Sequence, residues 1–152
     1  MKGTVSTESI ASIFTRHGHE GRRAKLASNF SRFERDYLTE KAGLTAGEAP
    51  ALGGVGADPA WWLLTTRRLV WSDGAEWHEV AIADLARVTH DMSAAVRRGQ
   101  LDRRQWTDLD ITAVDGPAGR LTLEPGAPFL GTWHVLQWLV KRAGKWRRQE
   151  AA

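Results

Sequence analysis

The residues best suited to chemistry are five histidines and a few clusters of charge. His17-x-His19-Glu20 has the side chains of a small metal site, but histidines two apart face away from each other on a helix and no third ligand is legible nearby. His78, His90 and His134 lie far apart in the chain, and none stands beside a motif that would make it a base. Gly53-Gly54-Val55-Gly56 has the composition of a phosphate cradle. Such a cradle needs a helix start after it, and here Asp58-Pro59 and a strand follow, so a flexible β-turn is the reading. Arg97, Arg98, Arg103 and Arg104 could grip phosphates or an acidic partner, with Trp106 as the one interleaved aromatic. With no cysteine in the chain, thiolate metal sites, disulfides and Cys nucleophiles are excluded. No nucleophile–base pair, carboxylate pair or metal cluster emerges, so no enzyme activity, no metal and no cofactor are expected.

These residues must be positioned by strands. The stretch Trp61–Val80 alternates by twos, breaks at Thr65-Thr66-Arg67-Arg68, resumes with Leu69-Val70-Trp71, breaks at Ser72-Asp73-Gly74 and resumes with Trp77-His78-Glu79-Val80. Asp-Gly between apolar runs marks a hairpin, because Gly accepts positive φ without steric cost. The stretch predicts a three-stranded antiparallel meander carrying four of the eight tryptophans. Each Trp offers about 4–6 kcal/mol of burial as an upper limit, so several belong in a core, and Trp71 is expected to point inward.

Around the meander, residues 6–17 predict a helix capped by Ser6 or Thr7, with Ile10, Ile13, Phe14 and His17 on one stripe. A longer helix is predicted over about residues 22–42, where Leu26, Phe30, Phe33 and Tyr37 make a narrow apolar seam. Glu48–Leu52 reads as a short strand, Ala81–Leu85 as a helical turn, and residues 87–92 as another strand. Ser93–Trp106 reads as a polar connection. Leu109, Ile111 and Ala113 alternate with polar residues, as do Leu121 and Leu123 after a turn at residues 115–119, predicting a second hairpin. The last helix, about Phe129–Arg148, presents Phe129, Trp133, Leu136, Val140 and Ala143. Val135, Leu139 and Trp146 widen that stripe.

Seven short strands and a closing helix define an α+β class. Leu44-x-x-x-Glu48, Leu64-Thr65-x-x-Arg68-Leu69-Val70-Trp71, Val80-x-Ile82-x-Asp84-Leu85-x-x-Val88 and the helix around Trp133–Leu139 resemble the bacterial PH-like domains, relatives of the pleckstrin-homology and GRAM fold. The resemblance spans about residues 44–148 and divides the chain into an N-terminal helical segment, 1–43, and a PH-like part, 44–152. It implies a partly open, strongly bent antiparallel barrel with the C-terminal helix plugging one end. Phosphoinositide-binding relatives use Lys and Arg flanking the first hairpin loop, whereas Gly53–Pro59 has none and carries Asp58. The fold hosts lipid, peptide and protein binding alike.

Charge is uneven: Lys and Arg outnumber Asp and Glu 8 to 5 in residues 1–43 and 5 to 1 in 128–152, but are outnumbered 7 to 3 in 44–92. The expected function is non-enzymatic binding of another protein, a second copy of the chain included, through Leu26, Phe30, Phe33 and Tyr37 and through Arg97, Arg98, Arg103, Arg104 and Trp106. The rival is an anionic membrane surface met by Arg22, Arg23, Lys25, Lys145, Arg147 and Arg148, and an enzyme with a pocket that no motif marks comes third. Nucleic acid is not an expected partner. A cytoplasmic location is expected, since the opening residues lack a signal-peptide apolar run.

Overall fold

The computed structural model describes residues 2–56 and 59–151, so Asp58 lies outside the described residues. The meander forms as expected: β3 (Trp61–Thr65), β4 (Arg68–Ser72) and β5 (Trp77–Ala81) pair antiparallel, with Trp62 opposite Trp71 and Trp71 opposite His78. The hairpin loop at Asp73-Gly74 has four residues, with Gly74 at φ 97°. β2 (Pro50–Val55) extends the sheet on the other side and β1 (Lys25–Leu26) forms its edge. Gly53 and Gly54 therefore lie inside a strand, which corrects the loop expected there. A Cβ on Gly54 would stand 2.7 Å from the indole nitrogen of Trp62, so the glycine makes room for a Trp lying across the strand.

Every residue of β3 is buried. Trp62 and Leu64, with Leu69 and Trp71, enter the main core. Trp61, Leu63 and Val70 face the opposite way and are covered by Leu38 and Ala42 of α2 (Arg32–Ala42). The alternation thus separates two faces of which neither is wet. That is why the strand reads as a continuous apolar run.

The second sheet comprises β6 (Leu85–Thr89), β7 (Asp108–Ala113) and β8 (Gly116–Thr122) in that order. Leu109, Ile111 and Leu121 point inward, while Arg120 on the outer face holds Asp110 at 2.9 Å across the strands. β8 begins at Gly116, so most of the expected turn at residues 115–119 is strand. The described strands form two sheets, of five and three, and do not close into a barrel. The sheets meet where the indole N–H of Trp71 donates to the Arg120 carbonyl at 3.0 Å.

Helix α4 (Ala127–Ala151) buries Phe129, Val135, Leu136, Leu139, Ala143 and Trp146 against β6 and the turn at Ile82–Asp84. Helix α1 (Thr7–His17), capped by Ser6, lays Ile10 and Phe14 into the same core. A Cβ on Gly131 of α4 would stand 2.8 Å from the Phe14 ring, so the two helices touch through a glycine. The N-terminal segment thus shares its core with the strands that follow.

The helix expected over residues 22–42 is corrected. The backbone N–H groups of Arg22, Arg23 and Ala24 donate to the Glu124 carboxylate at 2.9, 2.9 and 3.0 Å. Lys25 and Leu26 then pair with Gly53 and Leu52, and a single turn spans Ala27–Asn29. The helix starts only at Arg32, where Ser31 and Glu34 form a reciprocal capping box. The seam does not sit on one helix. Leu26, Phe30 and Tyr37 are half-buried against this protein's own cores, and only Phe33 stands out, 67% exposed. Phe33→Ala is expected to change stability by less than about 0.5 kcal/mol in urea melts. A loss above about 1 kcal/mol would return Phe33 to a packed face.

Candidate interaction surface

The histidines occupy separate environments, His17 and His134 excepted. His17 stacks on His134 with ring centroids 3.9 Å apart, and the His19 ring lies against the Glu20 carbonyl. The Glu20 carboxylate accepts from the Leu26 N–H and the Asn29 amide. His78 stacks on Trp71 and His90 on Trp106, so His78, His90 and His134 each meet a different ring.

The arginine-rich connection is built by two short elements. Asp91 caps α3 (Met92–Arg97), accepting the Ala94 N–H at 3.0 Å. Asp102 caps the turn Arg103–Gln105 in a second capping box. Asp102 also takes the Arg104 guanidinium at 2.8 Å, and its carboxyl, held by Arg104's side chain and backbone N–H, falls to about 2. Arg98 is paired with Asp108. Trp106 is corrected as a contact residue: it is 8% exposed and stacks on His90 at 3.8 Å, with Phe129 and Trp133 close by. Burial pushes His90 below the usual histidine range, against the opposing pull of Asp91, Asp108 and Asp110.

Arg97 and Arg103 are left outside any ion pair among the described residues. Beside them Met92 and Val96, one helical turn apart, are 55% and 58% exposed, and Leu101 is 77% exposed. Arg103 also borders a cavity of about 170 Å³ with Trp133, His134 and Gln137. Desolvation lowers the His134 pKa, and the charges of His17 and Arg103 push the same way. Two arginines without ion-pair partners among the described residues thus lie in the same stretch of chain as three exposed apolar side chains. The sequence had marked its arginines but not Met92, Val96 or Leu101. Alternation alone places Met92 in a strand, and an exposed apolar residue is legible only once the core is known.

The cations of the rival membrane surface are partly engaged within the fold. Arg147 donates to the carbonyls of Ala83 (2.8 Å) and Leu85 (3.2 Å), and Lys25 pairs with Glu34 at 3.0 Å. No described helix is long and apolar enough to cross a membrane. Comparison of the chain with protein-family models, with curated proteins and with solved structures finds no match.

Proposed function

We propose that the chain is a non-enzymatic binding module of PH-like architecture that docks a protein segment bearing carboxylates and apolar side chains. The architecture is supported by the order of elements: a meander of β2 to β5, a second meander of β6 to β8, then a long helix packed on β6 and the turn at Ile82–Asp84. The observation that carries the docking reading is the exposure of Met92, Val96 and Leu101 beside Arg97 and Arg103. Single exposed apolar residues are ordinary, but three within ten residues, rimmed by unpaired cations, match the composition of a contact patch. Arg is also among the residues enriched where binding energy concentrates.

The same side chains facing an anionic lipid surface are the second reading. It is weakened because Arg147 and Lys25, counted for it on sequence, already have partners in the fold. The test uses Val96→Asp with Leu101→Asp, both at exposed positions, in capture from the native host and in sedimentation with anionic liposomes. A partner held by the parent chain and lost by the variant, with little liposome binding at physiological salt, is expected. Liposome binding that collapses as salt shortens the Debye length below ~8 Å would transfer the surface to membranes. A partner captured equally by both chains would overturn the assignment of this patch.

A further inference from the structure

The loop between β4 and β5 gathers three potential metal ligands that the sequence leaves looking like a turn. One ligand atom each from Asp73, Glu76 and His78 lie within 4.8 Å of one another. His78 Nε2 is 3.5 Å from Asp73 Oδ2 and 3.9 Å from Glu76 Oε2. The other ring nitrogen, Nδ1, is 3.0 Å from the Ala118 carbonyl oxygen. A carbonyl can only accept, so Nδ1 donates its proton there and Nε2 is the ring atom turned towards the two carboxylates. Nε2 is buried and has no hydrogen-bond partner among the described residues.

Two carboxylates converging on one ring nitrogen call for a positive charge between them. A proton on Nε2 is one candidate, but charge-assisted N–H···O bonds run at about 2.7–2.9 Å, shorter than either distance here. Ligands about 2.1 Å from a tetrahedral ion stand ~3.4 Å apart, which the observed spacings approach. The second donor of each of two ligands is already committed elsewhere. Asp73 Oδ1 accepts the N–H groups of Ala75 and Glu76 at 2.8 Å each, leaving Oδ2 for a cation. His78 is oriented by the Ala118 carbonyl and by its stack on Trp71, as metal-binding histidines are by their outer partners. Gly119, at φ 141°, is what lets β8 come so near: a Cβ there would stand 2.8 Å from His78 Nδ1.

We propose that Asp73, Glu76 and His78 bind a divalent transition-metal ion of the zinc class, with water completing the coordination. One imidazole and two carboxylates suit zinc better than calcium or magnesium, which take oxygen ligands. The ion joins the exposed hairpin loop to a histidine whose other nitrogen holds the second sheet. It therefore staples the two sheets together at the loop end. Because Asp73 and Glu76 are largely solvent-exposed, the ion is exchangeable and the fold does not depend on it.

The test is titration of the full chain with zinc chloride, followed by calorimetry and by the imidazole nitrogen resonances. Saturable binding of one ion is expected, with the Nε2 resonance of His78 shifting while Nδ1 stays protonated. Asp73→Asn with Glu76→Gln, both in an exposed loop, should weaken binding at least ~10-fold, and His17→Gln should leave it unchanged. His78→Gln should abolish binding, but it also removes a contact to Ala118, so the carboxylate variant is decisive. Lack of saturable binding up to about 1 mM zinc would overturn the proposal. So would unchanged affinity in the carboxylate variant, or an Nε2-protonated His78 indifferent to zinc.

Discussion

Trp71→Ala is expected to lower stability by about 3–5 kcal/mol, the range for a large aromatic deleted from a core. Trp71 is 1% exposed and lies opposite Trp62 in the sheet, so truncation opens a cavity between buried neighbours. Its indole N–H also donates to the Arg120 carbonyl, and its ring stacks on His78 at 5.0 Å. The substitution therefore removes apolar burial, leaves a carbonyl without its partner and uncouples the sheets at their contact. Trp77, half-exposed on the neighbouring strand, is the control: Trp77→Ala should change stability by less than about 0.5 kcal/mol. Urea unfolding measures both. A loss below about 1 kcal/mol for Trp71→Ala would remove the residue from the core.

Glu48→Ala is expected to cost about 3–5 kcal/mol, as breaking one side of a buried ion pair does. The Glu48 side chain is 1% exposed and accepts the Arg68 guanidinium at 2.8 and 3.1 Å and the Thr45 N–H at 3.0 Å. Arg68 in turn donates to the carbonyls of Ala42 and Gly43, closing the end of α2. The carboxylate thus holds the guanidinium that ties α2 to the sheet. Glu79 still meets Arg68 at 2.7 Å on the solvent side, so the guanidinium is not wholly stranded.

The same group sets an acid limit. Burial pushes Glu48 upward, but hydrogen bonds from Arg68, Thr65 and Thr45, with the charge of Arg68, outweigh it and hold the pKa at about 2 against an ordinary 4.5. A depressed folded-state pKa stabilises the fold above the unfolded value. Its contribution is complete above pH 4.5 and is lost as pH falls towards 2. Urea midpoints followed from pH 6 to pH 2 should therefore fall more steeply for the parent chain than for Glu48→Gln, which has no proton to gain there. Parallel slopes would place the acid sensitivity in other carboxylates. The exposed Asp102–Arg104 pair has similar chemistry but is screened by water, so its removal should matter far less.

The sequence determined by itself whatever neighbouring residues encode. The alternation of Trp61–Val80, the Asp73-Gly74 turn, Ser6 capping α1 and the apolar arc of α4 all appear in the structure near where local periodicity puts them. The α+β class follows from them, because strands and helices of those lengths must share a core. The seam Leu26–Phe30–Phe33–Tyr37 has helical spacing, yet local spacing does not decide between a helix and an extended edge. Tertiary structure decided it: Glu124, about a hundred positions away, takes the N–H groups of residues 22–24, and the edge of β2 takes Lys25 and Leu26. Trp106 likewise looked like a surface aromatic among arginines until His90 and Phe129 enclosed it. The candidate surface and the loop at Asp73 have the same origin. Exposure of Met92, Val96 and Leu101, and the placing of the His78 ring beside two carboxylates, are properties of what packs around a residue. That packing is set by partners dozens of positions apart, whose contacts form only when the two sheets and α4 close on one core.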